Sequence, residues 1–335
     1  MNPSDLKRTG HWPRKEIAFC IAADDDGNRC WTGSSDAAVA EWNITIEKPQ
    51  RQLFEGDGHT SYVTGIVRHN DRLISSGYDR RLVLWDLPNR KMLSSIEAHD
   101  KWIRRMILSP DGSRIITVAD DMRCRVWDRE NGQQIADFSD HELQTPHHYP
   151  SMLYAVAISP DGTQIATGDR IGHVAIWDAT TFRKIGQLET PTMYTWDPQR
   201  RRHSIGGIRS LAFSPDGKRL AVGGMGQVGN IDHLQGKSRI EVFDWESGER
   251  LQELEDDKRK GLVEAIVWHP DAKWFLAAGG DHKGFITIYE SESGEMLHQA
   301  EHNGHIHSLC HDKAFRRLFV ASHDGISRWE FQPTA

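Results

Sequence analysis

Several groups of residues in this 335-residue chain are of types that do chemistry, and their spacing decides what each can do. Gly224, Gly226 and Gly229 match the spacing that brings a backbone close to a dinucleotide pyrophosphate. That chemistry needs a helix N-terminus beneath the phosphates, and no helical periodicity follows, so the glycines read as a loop. His141-Glu142 begins like the helix motif of a zinc protease, but position 145 is threonine and the second imidazole is missing. Asp24-Asp25-Asp26-Gly27 starts like a calcium loop, yet its sixth position is Arg29 and its twelfth is Ser35, so it reads as a hairpin turn. His298, His302, His305, His307 and His311 gather near Cys310, and His305 and His307 fall on one face of a strand, as two metal ligands would. No acidic or thiol companion has strong ligand spacing, so structural and solvated roles are expected, with a metal-binding or catalytic use of the histidines as the alternative. No catalytic residue, metal ligand or cofactor is assigned.

Recognition chemistry is better represented. Tyr194-Thr195-Trp196-Asp197-Pro198-Gln199-Arg200-Arg201-Arg202-His203 sets aromatics beside a basic run, and His147, His148 and Tyr149 have a similar character. Arginine and large aromatics dominate the energetics of protein interfaces. Arg200, Arg201 and Arg202 with Trp196 would also suit nucleic acid, but 41 basic against 48 acidic residues leave a net charge of −7, which opposes approach to phosphate backbones. No apolar stretch reaches the roughly 20 residues of a membrane-spanning helix. The stretch from Met1 to Arg8 lacks the apolar core of a signal peptide, and Asn43-Ile44-Thr45 would be a glycosylation site only in a secreted chain. Four cysteines do not make a disulfide framework, so free thiols and a cytoplasmic location are expected, although Cys20 and Cys30 flank one turn.

A repeat must position all of these residues. An aromatic followed by a polar residue recurs as Trp42-Asn43, Trp85-Asp86, Trp127-Asp128, Trp177-Asp178, Phe243-Asp244, Tyr289-Glu290 and Trp329-Glu330, at intervals of 43, 42, 50, 66, 46 and 40 residues. Each is preceded by an alternating segment such as Arg81-Leu82-Val83-Leu84, the period-two pattern of a half-buried strand. Further upstream lie hairpin turns, Ser109-Pro110-Asp111-Gly112, Ser159-Pro160-Asp161-Gly162, Ser214-Pro215-Asp216-Gly217 and His269-Pro270-Asp271-Ala272, in which proline presets φ and glycine supplies a positive φ.

These linked motifs resemble the WD-repeat family of β-propellers over nearly the whole chain, with the family's Gly-His dipeptide at Gly10-His11, Gly58-His59 and Gly304-His305 and a variant at Ala98-His99. The resemblance implies an all-β, seven-bladed propeller of four-stranded antiparallel blades, one domain spanning 1–335. It also implies a buried network of histidine, hydroxyl, aspartate and tryptophan in each regular blade. Three blades carry the full set: His11, Thr32, Asp36 and Trp42; His59, Ser75, Asp79 and Trp85; His99, Thr117, Asp121 and Trp127. Such a network stabilises only when every member is satisfied. Asp169 and Asp281 lie eight residues before their aromatics and Asp324 lies five before, so blades four to seven are expected to use other internal bonds, while His305 takes a structural role.

Family geometry also says how the ring closes and which face works. Only six residues follow Trp329, so the segment from Asp5 to Thr9 is expected to supply the outer strand of the last blade. The long intervals contain insertions at 139–151, 189–204 and 223–238, all on the face where chains enter the blades. Counting five residues back from each turn places Thr64, Arg104, Tyr154, Arg209 and Glu264 at the channel mouth on that face, with Tyr62, Tyr78 and Trp102 near its rim. Two arginines among aromatics suit an acidic or phosphorylated peptide segment. Arg104 and Arg209 are expected to stay partly hydrated and to be dispensable for folding. The expected role is a non-catalytic interaction scaffold that binds a protein or peptide.

Overall fold

The computed structural model describes residues 2–199 and 202–332. Period-two alternation becomes seven four-stranded antiparallel sheets arranged as the blades of a propeller, with two 3-10 turns and no α-helix among the described residues. Blade two shows the pattern, running outward from Val63–His69 through Arg72–Gly77 and Arg81–Asp86 to Lys91–Glu97. The inner strands pack on one another in chain order, and the first, Ala18–Ala23, meets the last, Ile306–His311, which closes the circuit. Apolar faces are buried between blades: Cys20, Trp31 and Val39 of blade one meet Val63, Ile66 and Trp85 of blade two.

The turns form as their residues dictate. In blade three the Ser109 hydroxyl accepts from the Arg114 N–H, the Gly112 N–H bonds back to the Ser109 carbonyl at 2.8 Å, and Gly112 adopts a φ of 71°. The closing strand is Leu6–Trp12, longer than expected, and it pairs antiparallel with Gly325–Phe331 so that Leu6 lies opposite Phe331 and His11 opposite Ser327. Leu6 packs with Trp329 and Phe331, which ties the closure to the core.

The buried networks are where sequence and structure part. Blade two has the expected set, with His59 Nδ1 at 2.9 Å from Asp79, His59 Nε2 at 2.7 Å from the Ser75 hydroxyl, and Trp85 Nε1 donating to that hydroxyl at 2.8 Å. Blade three repeats it with His99, Asp121, Thr117 and Trp127. Blade one keeps only the Trp42 to Thr32 bond of 2.9 Å. His11 is the correction: it sits inside the closing strand of the last blade and pairs with Asp324 at 3.0 Å, while Asp36 is held by Arg51 and Ser34.

Blade four, expected to depart, is complete. His141, delivered by the 139–151 insertion, reaches Asp169 at 2.9 Å and the Thr167 hydroxyl at 2.8 Å, and Trp177 donates to the same hydroxyl at 3.0 Å. Its carboxylate comes from the end of the second strand because the following turn holds Ile171 where Asp121 stands in blade three. In blade seven the imidazole is His302, bonded to Ser327, and His305 instead faces Glu264. Ser327 lies on the third strand opposite Val320, so the hydroxyl has crossed to the neighbouring strand. Blade five replaces the network with ions: the buried Glu241 carboxylate is paired with Arg239 at 2.7 Å and Arg250 at 3.0 Å. Cys20 lies opposite Gly33 and Cys30 opposite Ala23, so the two sulfurs do not face each other, and all four cysteines are free thiols.

Candidate binding site at the channel mouth

One device aims a side chain of almost every blade into the central channel. In blades one, two, three, four, six and seven the register of the inner strand shifts around one residue, respectively Phe19, Thr64, Arg104, Tyr154, Glu264 and His307. A bulge leaves that residue unpaired and turns its side chain away from the ladder. Arg209 occupies the equivalent place in blade five, just before the strand Ser210–Phe213. These seven residues, with Tyr78, Arg105 and Leu262, enclose a cavity of about 240 Å³. The spacing rule located Thr64, Arg104, Tyr154, Arg209 and Glu264. It would also have located Phe19 and His307 had Asp24 and Asp312 been counted as turn-opening residues, for Asp312 accepts at its turn as Ser109 does.

The electrostatics differ from the expectation of two free arginines. Arg104 is committed: Nε and Nη2 each lie 2.7 Å from an Asp120 oxygen, and the guanidinium sits among Tyr78, Trp102 and Tyr154. Burial opposes its charge, but the Asp120 hydrogen bonds outweigh that and hold its pKa above the ordinary arginine value. Arg209 makes no ion pair within 4 Å among the described residues and rests over the Tyr154 ring at 3.5 Å. Arg105, absent from the sequence expectation, reaches across the channel to donate from Nη2 to the carbonyls of Arg209 at 3.1 Å and Glu264 at 2.8 Å. Enclosure lowers its pKa. Burial alone would raise the Glu264 carboxyl, but the imidazole of His305, 3.6 Å away, and the charge of Arg209 outweigh it and set the group at about 2. Beside it the rings of His305, His307 and His323 lie 4.5 to 5.5 Å apart, and burial pushes His307 well below the usual imidazole range. Among the described residues no group of three His, Cys, Asp or Glu side chains has a metal-holding arrangement.

The rim carries an aromatic ladder. Phe19 stacks on Tyr62 at 5.2 Å, Tyr62 meets Tyr78 at 5.6 Å, and Tyr78 lies parallel to Trp102 at 4.5 Å. Tyr62 and Trp102 remain 43% and 48% exposed, an unusual state for such large rings at one rim. The insertions join over blades four and five on the same face. Tyr194–Asp197 pairs with His203–Gly206 as a small hairpin, His147 stacks on Trp196 at 4.1 Å and bonds to the Tyr194 hydroxyl at 3.0 Å, and Gln227 donates to the Tyr194 carbonyl at 2.8 Å. Arg170 anchors this assembly to blade four through the Ser204 carbonyl at 2.6 Å. Tyr194 and Trp196 therefore spend part of their surface on the insertions themselves. Arg202 is exposed, and Arg200 and Arg201 lie outside the described residues. Gly224 sits in the extended strand Arg219–Met225, which removes the helix that a pyrophosphate site would need.

The comparisons agree with this architecture. The family model described as WD domain, G-beta repeat, matches residues 48–86, 90–128, 140–178 and 196–228, and the WD40 domain of anaphase-promoting complex subunit 4 matches 234–314. Telomerase protein component 1 of Mus musculus is 26% identical over 78% of the chain but only 9% of its own length. Eukaryotic translation initiation factor 3 subunit I of Pyricularia oryzae is 26% identical over 62% of the chain and 53% of its own length. The guanine nucleotide-binding protein subunit beta of Zea mays is 25% identical over 64% and 55%. The chain thus spans about half the length of two of these relatives and a small part of the third. With seven four-stranded blades, the recurring buried networks and repeat matches from 48 to 314, the chain belongs to the WD-repeat family of β-propellers.

Proposed function

We propose that the chain is a non-catalytic interaction platform whose loop-bearing face takes a partner protein or peptide, with an acidic or phosphorylated segment of the partner at the channel mouth. The observation that carries this reading is the mouth itself: Arg209 has no ion-pair partner among the described residues and lines a 240 Å³ cavity beside an exposed aromatic ladder. Unpaired guanidinium groups and exposed rings next to a cavity are the anchors that interfaces use. The related WD-repeat proteins include subunits of larger assemblies by their names, which accords with a recruiting role.

Partner capture by the full chain tests it, with partners identified by crosslinks mapped to this face. Arg209→Ala and a Tyr62→Ala, Trp102→Ala double variant are expected to weaken capture at least tenfold. Arg90→Ala, in the loop joining the third and fourth strands of blade two on the opposite face, is expected to leave it unchanged. Equal losses in Arg90→Ala and Arg209→Ala would reject the assignment of the working face.

A further inference from the structure

We infer that the channel mouth accepts one carboxylate and discriminates against a phosphoryl dianion, a refinement that rests on the mouth being the partner's site. Arg104 and Asp120 neutralise each other through their two 2.7 Å bonds. Arg105, Arg209 and Glu264 remain, all lining one cavity of about 240 Å³. Two cations and one carboxylate leave a single net positive charge at pH 8, where an ordinary imidazole is neutral. A carboxylate cancels that charge. A phosphoryl group carries close to two negative charges at this pH and leaves an uncompensated anion beside Glu264, and unpaired charge in an enclosed site is costly.

The hydrogen-bonding capacity fits a ligand of this size. Among the described residues Arg105 uses only Nη2, on the carbonyls of Arg209 and Glu264, so its Nε and Nη1 are uncommitted. The Nε2 of His307 is buried without a partner at the same cavity. Arg209 stacks on Tyr154 and keeps its donors for a guest. Glu264 acts as the selector, because it alone reduces the wall charge from two to one.

Three small probes test this on the full chain at pH 8 and constant ionic strength, read by chemical-shift titration: N-acetylglutamate amide, N-acetylphosphoserine amide and the neutral N-acetylglutamine amide. The glutamate probe is expected to bind at least ten times more tightly than the phosphoserine probe. Glu264→Gln is expected to erase or reverse that preference, and Arg209→Ala to weaken both anions about tenfold. The wild-type comparison needs no variant, and circular dichroism checks the fold of the others. Equal or tighter binding of the phosphoserine probe overturns the selectivity while leaving the mouth as an anion site. If neither anion binds better than the neutral probe, both the selectivity and the mouth as an anion site are rejected.

Discussion

Arg104 and Asp120 form a bidentate pair at the channel end of blade three, with both nitrogen to oxygen distances at 2.7 Å. Asp120 is only 11% exposed, so removing its cation leaves a poorly hydrated carboxylate without its partner. Arg104→Ala is therefore expected to destabilise the fold by about 1–3 kcal/mol. Arg209→Ala forfeits its contact with Tyr154 and its attraction for the Glu264 carboxylate, leaves no directly paired ion behind, and is expected to cost about 1 kcal/mol or less. Urea midpoints of the two variants measure the difference, and identical midpoints would refute it. The pair with Asp120 sets Arg104 apart from the expectation that both arginines are dispensable for folding.

Thr167 carries two bonds at once, accepting from Trp177 and bonding to His141. Thr167→Val keeps the shape but strands a buried indole N–H and an imidazole nitrogen, and is expected to cost about 2–3 kcal/mol. A matching change at Thr32, whose hydroxyl bonds to Trp42 alone within its blade, is expected to cost roughly half as much. Chemical denaturation distinguishes them, and a smaller effect at Thr167 would mean that the His141 arm contributes nothing.

Deleting residues 1–12 removes the strand Leu6–Trp12 and bares the edge of Gly325–Phe331. An unpaired edge with an exposed apolar face invites association. The truncated chain is expected to melt well below the full chain and to aggregate at micromolar concentration, seen by light scattering. A melting temperature within a degree or two of the full chain would show that the closure is not needed.

Acid is expected to act in two stages. Burial lowers His302, His307 and His311 below the usual imidazole value, so the unfolded chain binds more protons than the folded one once pH falls below about 6.5. Their contribution is present above that pH and is lost progressively below it. Asp36, held by Arg51, and Glu264, held by His305, both sit at about 2, so the stability they supply is present above about pH 4 and is lost as pH falls toward 2. Thermal melts from pH 8 to 3 should show a plateau above neutrality, a first decline from about 6.5 and a steeper one below about 4.5. Melting temperatures that rise between pH 7 and 5.5 would contradict the buried-histidine account.

The number of blades, the hydroxyl ten residues before each of Trp42, Trp85 and Trp127, and the serine turns were all legible in the sequence alone. Each depends on contacts within one hairpin, where a strand's period of two and a proline or glycine φ preference act over a few residues. The same locality made the five-residue offset place Arg104, Tyr154 and Glu264 at the bulges. Only the tertiary structure decided which imidazole meets which acceptor: His141 with Asp169, His11 with Asp324, His302 with Ser327. It alone neutralised Arg104 with Asp120 and carried Arg105 across the channel to Glu264. The physical reason is distance through space: a hydrogen bond needs donor and acceptor within about 3 Å. Whether residues from separate strands or blades come that close depends on strand register and on how neighbouring blades pack, which spacing within one hairpin does not reveal.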